Sequence, residues 1–91
     1  MKKDEFLIIA EKIYKSSKEF WEGEFPEDFD MELKLAGKDS YLSSLELVTF
    51  LAELETELLN FKINISFLDK ILEEEVEDVT CAILYKLINE K

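Results

Sequence analysis

The sequence predicts an all-α protein, a four-helix bundle with a short third helix and a long connector between the first and second helices. The composition favours a compact helical chain, because 47% of the 91 residues are apolar and only two are Gly and one is Pro. Apolar side chains recur at spacings of three and four in separate segments, which is typical of helices that bury one face. Residues 1–91 are therefore expected to form a single domain.

The first helix is predicted over residues 4–20, with Asp4 placed to cap its start. Its buried stripe is expected to contain Phe6, Ile9, Ala10, Ile13, Ser17 and Phe20. A Gly and a Pro then break the helical pattern and open the connector, which Phe25 and Phe29 are expected to pin against the core. Residues 31–35 alternate apolar and polar side chains over too short a run to predict a strand, so the connector is interpreted as extended.

The second helix is predicted to start at the pair Ser43 and Ser44, because serine is a favourable N-cap and no Gly or Pro follows. Its buried face is expected to contain Leu47, Phe50, Leu51, Leu54 and Leu58. The opposite face is acidic, and residues 39–61 include no basic side chain. This helix should therefore present an anionic surface, which favours a basic partner.

The last two helices are predicted to follow an extended crossing at residues 60–65. Ser66 is placed to cap a short third helix, and the fourth helix is expected to begin near Glu77. The side chains that the third helix should bury are Phe67, Leu68, Ile71 and Leu72. The buried row of the fourth helix should contain Val79, Ile83 and Leu87, flanked by Cys81, Leu84 and Ile88.

The charge and the missing residue types argue against several function classes. A net charge of −11 would repel phosphate backbones and anionic lipids, so neither nucleic acid nor a membrane is an expected partner. The chain has no His, which argues against an enzyme with a nucleophile–base pair and against the common metal sites. Cys81, the single cysteine, is expected to be a buried structural thiol. One Cys cannot form an internal disulfide and no apolar run is long enough to span a membrane, so the expected location is the reducing cytoplasm. The protein is also expected to be a monomer.

The second helix carries a family resemblance. Residues 44–48 (Ser-Leu-Glu-Leu-Val) and 54–58 (Leu-Glu-Thr-Glu-Leu) resemble the start and end of the second helix of acyl and peptidyl carrier proteins. Residues 39–44 (Asp-Ser-Tyr-Leu-Ser-Ser) resemble the lead-in of small free-standing carriers. In that family, a serine at this helix start receives a 4'-phosphopantetheine arm from coenzyme A. The resemblance therefore implies an acyl-carrier-protein-like bundle with the arm attached to Ser44.

Two alternatives for the attachment residue remain open. Ser43 stands where the family usually has Asp before the modified serine, whereas a frame that uses Ser40 keeps an Asp there. The Ser40 frame places Glu46 at a core position of the helix, or Glu55 at its closing apolar position if one residue is inserted. Ser44 is therefore the preferred attachment residue.

The resemblance implies a protein without catalytic activity of its own, which holds an acyl or aminoacyl group as a thioester on the arm. Fatty-acid, polyketide and nonribosomal-peptide types of biosynthesis use such carriers. The implied partners are a phosphopantetheinyl transferase and the loading ligases, synthases or acyltransferases that have basic docking surfaces. The residues at the family's docking positions are Leu45, Glu46, Val48, Ala52, Glu53 and Glu55. The alternative is a carrier-like interaction or structural module without a prosthetic arm, which Ser43 in place of Asp favours.

Overall fold

The computed structural model describes residues 1–21, 25–37 and 42–89. In these residues the chain is mostly helical, as predicted, and forms a small bundle. Its α-helices are α1 (Lys3–Ser17), α2 (Ser44–Leu59), α3 (Phe67–Glu73) and α4 (Cys81–Ile88). Its shorter elements are a 3₁₀ turn (Lys18–Phe20) and the strands β1 (Lys34–Ala36) and β2 (Val79–Thr80). No helix in the described part of the chain is long and apolar enough to cross a membrane.

The core forms where the apolar face of α2 packs against α1, α3 and β1. The side chains that α2 buries completely are Phe50, Leu51, Leu54 and Leu58. Leu47 is partly buried against them, so the predicted face of this helix is confirmed. The residues that α1 buries are Phe6, Ala10, Ile13, Tyr14 and Ser17. Burial of one Leu or Phe side chain stabilises a fold by about 1.5–3 kcal/mol, so this helix pair makes a large contribution to stability.

Both ends of the first helix differ from the prediction. The N-cap is Lys2 rather than Asp4, and the Lys2 backbone N–H donates a hydrogen bond to the Glu5 carboxylate at 3.4 Å. At the other end, Phe20 is 86% exposed instead of buried. The reason is that the chain tightens into a 3₁₀ turn after Ser17, which rotates the following side chains off the buried stripe.

Aromatic contacts hold the connector against the bundle, as predicted from Phe25 and Phe29. Phe29 is buried, and its ring centroid lies 4.8 Å from that of Tyr14. The ring of Phe25 lies 5.1 Å from that of Trp21. The Tyr14 hydroxyl donates a hydrogen bond to the Pro26 carbonyl at 2.7 Å, so this side chain joins the core to the connector. The apolar pattern missed Tyr14 because its aromatic body is buried while its polar tip needs a partner.

A two-stranded antiparallel sheet corrects the all-α prediction. Lys34 in the connector lies opposite Thr80, so a segment too short to predict as a strand finds its partner after α3. Gly37 follows β1 with a φ of +110°, a conformation that side chains with a Cβ rarely adopt. A Cβ at this position would lie 2.8 Å from the Glu77 carbonyl oxygen. The close approach of the two chain segments therefore requires glycine here.

The fourth helix begins at Cys81 rather than near Glu77, because Val79 lies in β2. Thr80 is the N-cap, and its hydroxyl accepts a hydrogen bond from the Ile83 backbone N–H at 3.3 Å. The side chains that α4 buries are Cys81, Leu84 and Leu87. Val79 is buried as predicted, but it belongs to β2 and not to the helix. Ile83 is only partly buried.

The third helix is attached to the core mainly through Phe67, which is fully buried. Leu68 and Leu72, predicted to be buried, are exposed, and Ile71 is partly buried. A helix of seven residues makes only about two turns, so few of its side chains can reach the core. The sequence pattern therefore overestimated the burial of α3.

Cys81 is buried at the start of α4, as predicted. Removal of the thiol from water raises its pKa, and the nearby Asp30 carboxylate raises it further, from 9.0 to about 12. The thiol therefore stays protonated at neutral pH. Because the thiolate is the reactive form of cysteine, this side chain has a structural role.

We expect the Cys81 thiol to make the protein less stable in alkali. Below about pH 9 the thiol is protonated in the folded and unfolded states, and between about pH 9 and 12 only the folded state retains the proton. The free energy of unfolding should therefore fall by up to about 1.4 kcal/mol per pH unit in that range. Cys81→Ala should lack this contribution. Urea unfolding of both proteins from about pH 8 to about pH 11 measures the difference, and parallel pH profiles would contradict it.

Candidate functional site

The start of α2 is organised by a reciprocal cap. The Ser43 hydroxyl accepts a hydrogen bond from the Glu46 backbone N–H at 3.2 Å, and the Ser43 backbone N–H donates to the Glu46 carboxylate at 2.8 Å. The Ser43 carbonyl also accepts the first helical bond, from Leu47 at 2.9 Å. The predicted start at the serine pair is confirmed, and Ser43 rather than Ser44 is the capping residue.

Ser44 is the first residue of α2 and is exposed. Within the described residues its hydroxyl makes no hydrogen bond, and the cap of α2 is supplied by Ser43. The backbone N–H groups of Ser44 and Leu45 have no acceptor in the helix, as is usual at a helix N-terminus. Ser44 therefore combines an accessible hydroxyl with the positive end of the helix dipole. Ser40, the alternative attachment residue, lies outside the described residues.

The apolar members of the predicted docking surface lie on the outside of α2. Leu45 is 76% exposed and Val48 is 41% exposed, and Ala52 is also exposed. Their spacing of three and four places them along one side of the helix. These three side chains therefore form one exposed apolar row on α2, which begins beside Ser44 at Leu45. Isolated exposed apolar residues are common, but an aligned set beside an accessible hydroxyl is a candidate contact surface.

The acidic members of the predicted docking surface each accept an intramolecular hydrogen bond. Glu46 belongs to the cap of α2, and Glu53 accepts from the Ser17 hydroxyl at 2.9 Å. Glu55 accepts from the Phe67 backbone N–H at 3.1 Å. These carboxylates therefore stabilise the fold as well as contribute negative charge.

The sequence contains a signal for only one of these bonds. A serine followed three residues later by a glutamate is the pattern of a capping box, and Ser43 and Glu46 have that spacing. The donors to the other two carboxylates come from α1 and from the start of α3. No local pattern could have indicated those contacts, because the partners are distant in sequence.

Glu55, rather than Ser66, supplies the side-chain cap of α3. Ser66 is at the N-cap position, as predicted, but its side chain makes no capping hydrogen bond. We therefore expect Glu55→Ala to lower the free energy of unfolding by about 1–2 kcal/mol, through loss of a hydrogen bond to a charged acceptor. Ser66→Ala should lower it by only a few tenths of a kcal/mol, within the range of ordinary surface substitutions.

Urea unfolding curves of the parent and the two variants test this assignment. Glu55→Gln is the matched control, because its amide oxygen can still accept from Phe67. It should therefore be more stable than Glu55→Ala. A larger loss in Ser66→Ala than in Glu55→Ala would restore Ser66 as the capping residue.

Comparisons with known proteins do not assign the chain to a family. No protein-family model, no curated protein and no solved structure matches it. The features that bear on function are therefore the geometry at the start of α2 and the charge of that helix.

Proposed function

We propose that this protein is a carrier of acyl or aminoacyl groups, with a 4'-phosphopantetheine arm attached covalently to Ser44. The observation that carries the proposal is the division of roles between two adjacent serines. Ser43 caps α2, and this leaves the hydroxyl of Ser44 exposed and without a structural bond among the described residues. Because Ser43 alone satisfies the need for a cap, capping does not account for the second serine, Ser44.

The residues at this helix start fit a phosphodiester. Ser44 is exposed, so a transferase can reach it. Its hydroxyl oxygen would bond to the phosphorus of coenzyme A that bears the pantetheine arm, the pyrophosphate P–O bond would break, and the adenosine bisphosphate part would leave as the hydroxyl proton is lost. The free N–H groups of Ser44 and Leu45 and the positive helix end would stabilise the resulting anion. When attached, the arm supplies a terminal thiol that holds the cargo as a thioester. The chain itself would position the arm and present it to separate enzymes.

The proposal includes the fold of an acyl carrier protein. Four helices with a short third member and a long connector after the first are the arrangement expected from the resemblance, and the described elements are compatible with it. The β1–β2 sheet is a departure from an all-α bundle. A single cytoplasmic and monomeric carrier domain is part of the same proposal.

The alternative is a helical interaction or structural module without an arm. It is favoured by Ser43, which stands where the family usually has Asp. The structure supplies a counterargument, because Ser43 performs the capping role that a side-chain carboxylate could perform at this position. The two functions differ in a single measurable property, the presence of the arm.

We expect incubation with a phosphopantetheinyl transferase and coenzyme A to increase the intact mass by one arm. Ser44→Ala should abolish the increase, because it removes the oxygen that forms the phosphodiester. Ser40→Ala should leave it unchanged. Intact-mass spectrometry of the three proteins measures the outcome.

Ser16→Ala is a matched control, because Ser16 is also exposed but lies within α1. It should be modified like the parent protein. No mass increase with several transferases would favour the module without an arm. A mass increase that is lost in Ser40→Ala and kept in Ser44→Ala would identify Ser40 as the attachment residue.

The proposed partners are the transferase and the loading ligases, synthases or acyltransferases that meet the arm. Their contact surface would be the outer side of α2, where Leu45 and Val48 offer apolar contact. The negative charge of α2 would attract basic docking surfaces and mainly increase the association rate. Since exposed charges are screened over about 8 Å at physiological salt, such complexes should weaken as the salt concentration rises.

We expect Glu46→Gln to slow loading of the arm about twofold to threefold at low salt, and less at high salt. The glutamine keeps an oxygen that can accept from the Ser43 N–H, so the charge is removed while the cap is retained. Glu46→Ala removes both and should also reduce stability. Loading rates, measured by mass spectrometry under subsaturating transferase, test the expectation.

Glu27→Gln is the control for a change in net charge, because Glu27 is exposed and lies outside α2. It should load at nearly the parent rate. Equal slowing by Glu27→Gln and Glu46→Gln would indicate a general charge effect instead of a docking surface on α2.

A further inference from the structure

An open groove of about 600 Å³ lies between α1 and α2. Its α1 wall includes Ile8, Ile9 and Ile13, and Phe61 lines it just beyond the end of α2. Ile8 is 68% exposed and Phe61 is 48% exposed, so apolar surface faces solvent. The lining on α1 extends from Ile8 to Ser16, which corresponds to about 12 Å of helix. This length matches about two turns of a helix from another molecule that lies along the groove.

The charges in the groove restrict what can occupy it. Glu57 lines the groove and is only partly exposed, and its carboxylate has no hydrogen bond or ion pair within the described residues. Glu53 differs, because it accepts the hydrogen bond from Ser17. Lys12 lines the α1 side and is exposed, so it can remain hydrated. An occupant that covers the groove must therefore provide a partner for Glu57.

We propose that this groove binds an amphipathic helix of a partner protein, with apolar side chains against Ile8 and Phe61 and a Lys or Arg paired with Glu57. A purely apolar occupant would bury the Glu57 carboxylate without a partner, which is unfavourable. A second copy of the chain would bring another net charge of −11 to an acidic surface. A basic helix satisfies both the apolar wall and the carboxylate.

This surface is separate from the proposed attachment residue. Glu57 lies thirteen positions beyond Ser44, which is about 20 Å along α2. The groove and the docking surface share Ala52 and Glu53, whereas Ile8 and Glu57 belong to the groove alone. The inference therefore goes beyond the carrier function and can be tested on protein that has no arm.

The test uses a synthetic helical peptide of about fifteen residues, made of Leu, Ala and Lys with all leucines on one face. A second peptide of identical composition has its leucines dispersed around the helix. Each is titrated into the full chain, and amide chemical shifts measure the affinity and locate the contact. We expect saturable binding of the first peptide with shifts at Ile9, Ile13 and Thr56, and at least about tenfold weaker binding of the second.

Two variants probe the walls of the groove. Glu57→Gln should weaken binding of the first peptide about fivefold to tenfold, and Ile8→Ser should have a similar effect. The matched controls are Glu73→Gln on α3 and Leu59→Ser, which change an exposed carboxylate and an exposed apolar side chain outside the groove. Both controls should bind within about twofold of the parent protein.

Several results would overturn the proposal. Equal binding of the two peptides would show attraction to negative charge alone. Loss of affinity in the controls as large as in Glu57→Gln would place the contact elsewhere. Binding of decanoate in the groove that becomes stronger in Glu57→Gln would indicate that the ligand of the groove is an apolar chain and not a helix. A dimer in sedimentation equilibrium that dissociates in Ile8→Ser would indicate that a second copy of the chain occupies the groove.

The peptide experiment is independent of the carrier function. A missing mass increase in the transferase experiment would therefore leave this inference unaffected.

Discussion

The burial of one face of α2 is the constraint on which the rest of the structure depends. Phe50, Leu51, Leu54 and Leu58 are completely buried, and α1, α3 and β1 all pack on this helix. Each of these side chains contributes about 1.5–3 kcal/mol, whereas a helix cap contributes about 1 kcal/mol and a surface ion pair less. The rotation of α2 about its own axis is therefore fixed by apolar packing and not by its charges.

That rotation determines what α2 presents to the solvent. Each residue advances the helix by about 100°, so a buried row at Phe50 and Leu54 forces Leu45 and Val48 outward. The exposure of Ser44 has a different origin. The cap at Ser43 fixes where α2 begins, and this makes Ser44 the first residue of the helix. Apolar packing and local capping together place the candidate attachment residue next to the candidate contact surface.

The carboxylates of α2 combine a structural and an electrostatic role. Glu46, Glu53 and Glu55 hold the helix start, α1 and α3 in place through hydrogen bonds. Their charge is not neutralised by any basic residue in positions 39–61, so the helix remains strongly anionic. Glutamine at these positions can accept the same hydrogen bonds, and this separates the two roles experimentally. Glu57 differs from these three, because its carboxylate accepts no hydrogen bond in the described residues, and it lines the groove between α1 and α2.

The sequence by itself determined the features that depend on contacts between near neighbours. The apolar spacing predicted the buried face of α2 and most of that of α1, and the serine pair predicted where α2 begins. Such features follow from helix periodicity and capping, which act over about four residues. The prediction that Phe25 and Phe29 pin the connector is also confirmed: Phe29 is buried and Phe25 is partly buried. Large aromatic side chains in a polar loop need an apolar contact.

Only the tertiary structure decided the features that depend on partners distant in sequence. β1 is a strand because it pairs with β2. Since β2 takes up Val79 and Thr80, α4 begins only at Cys81. The cap of α3 comes from Glu55, and Leu72 is exposed because α3 is too short to bury it. The groove beside Glu57 exists only because α1 and α2 lie next to each other. A local pattern fixes which face of an element is apolar, but the packing of the whole chain fixes what each face meets.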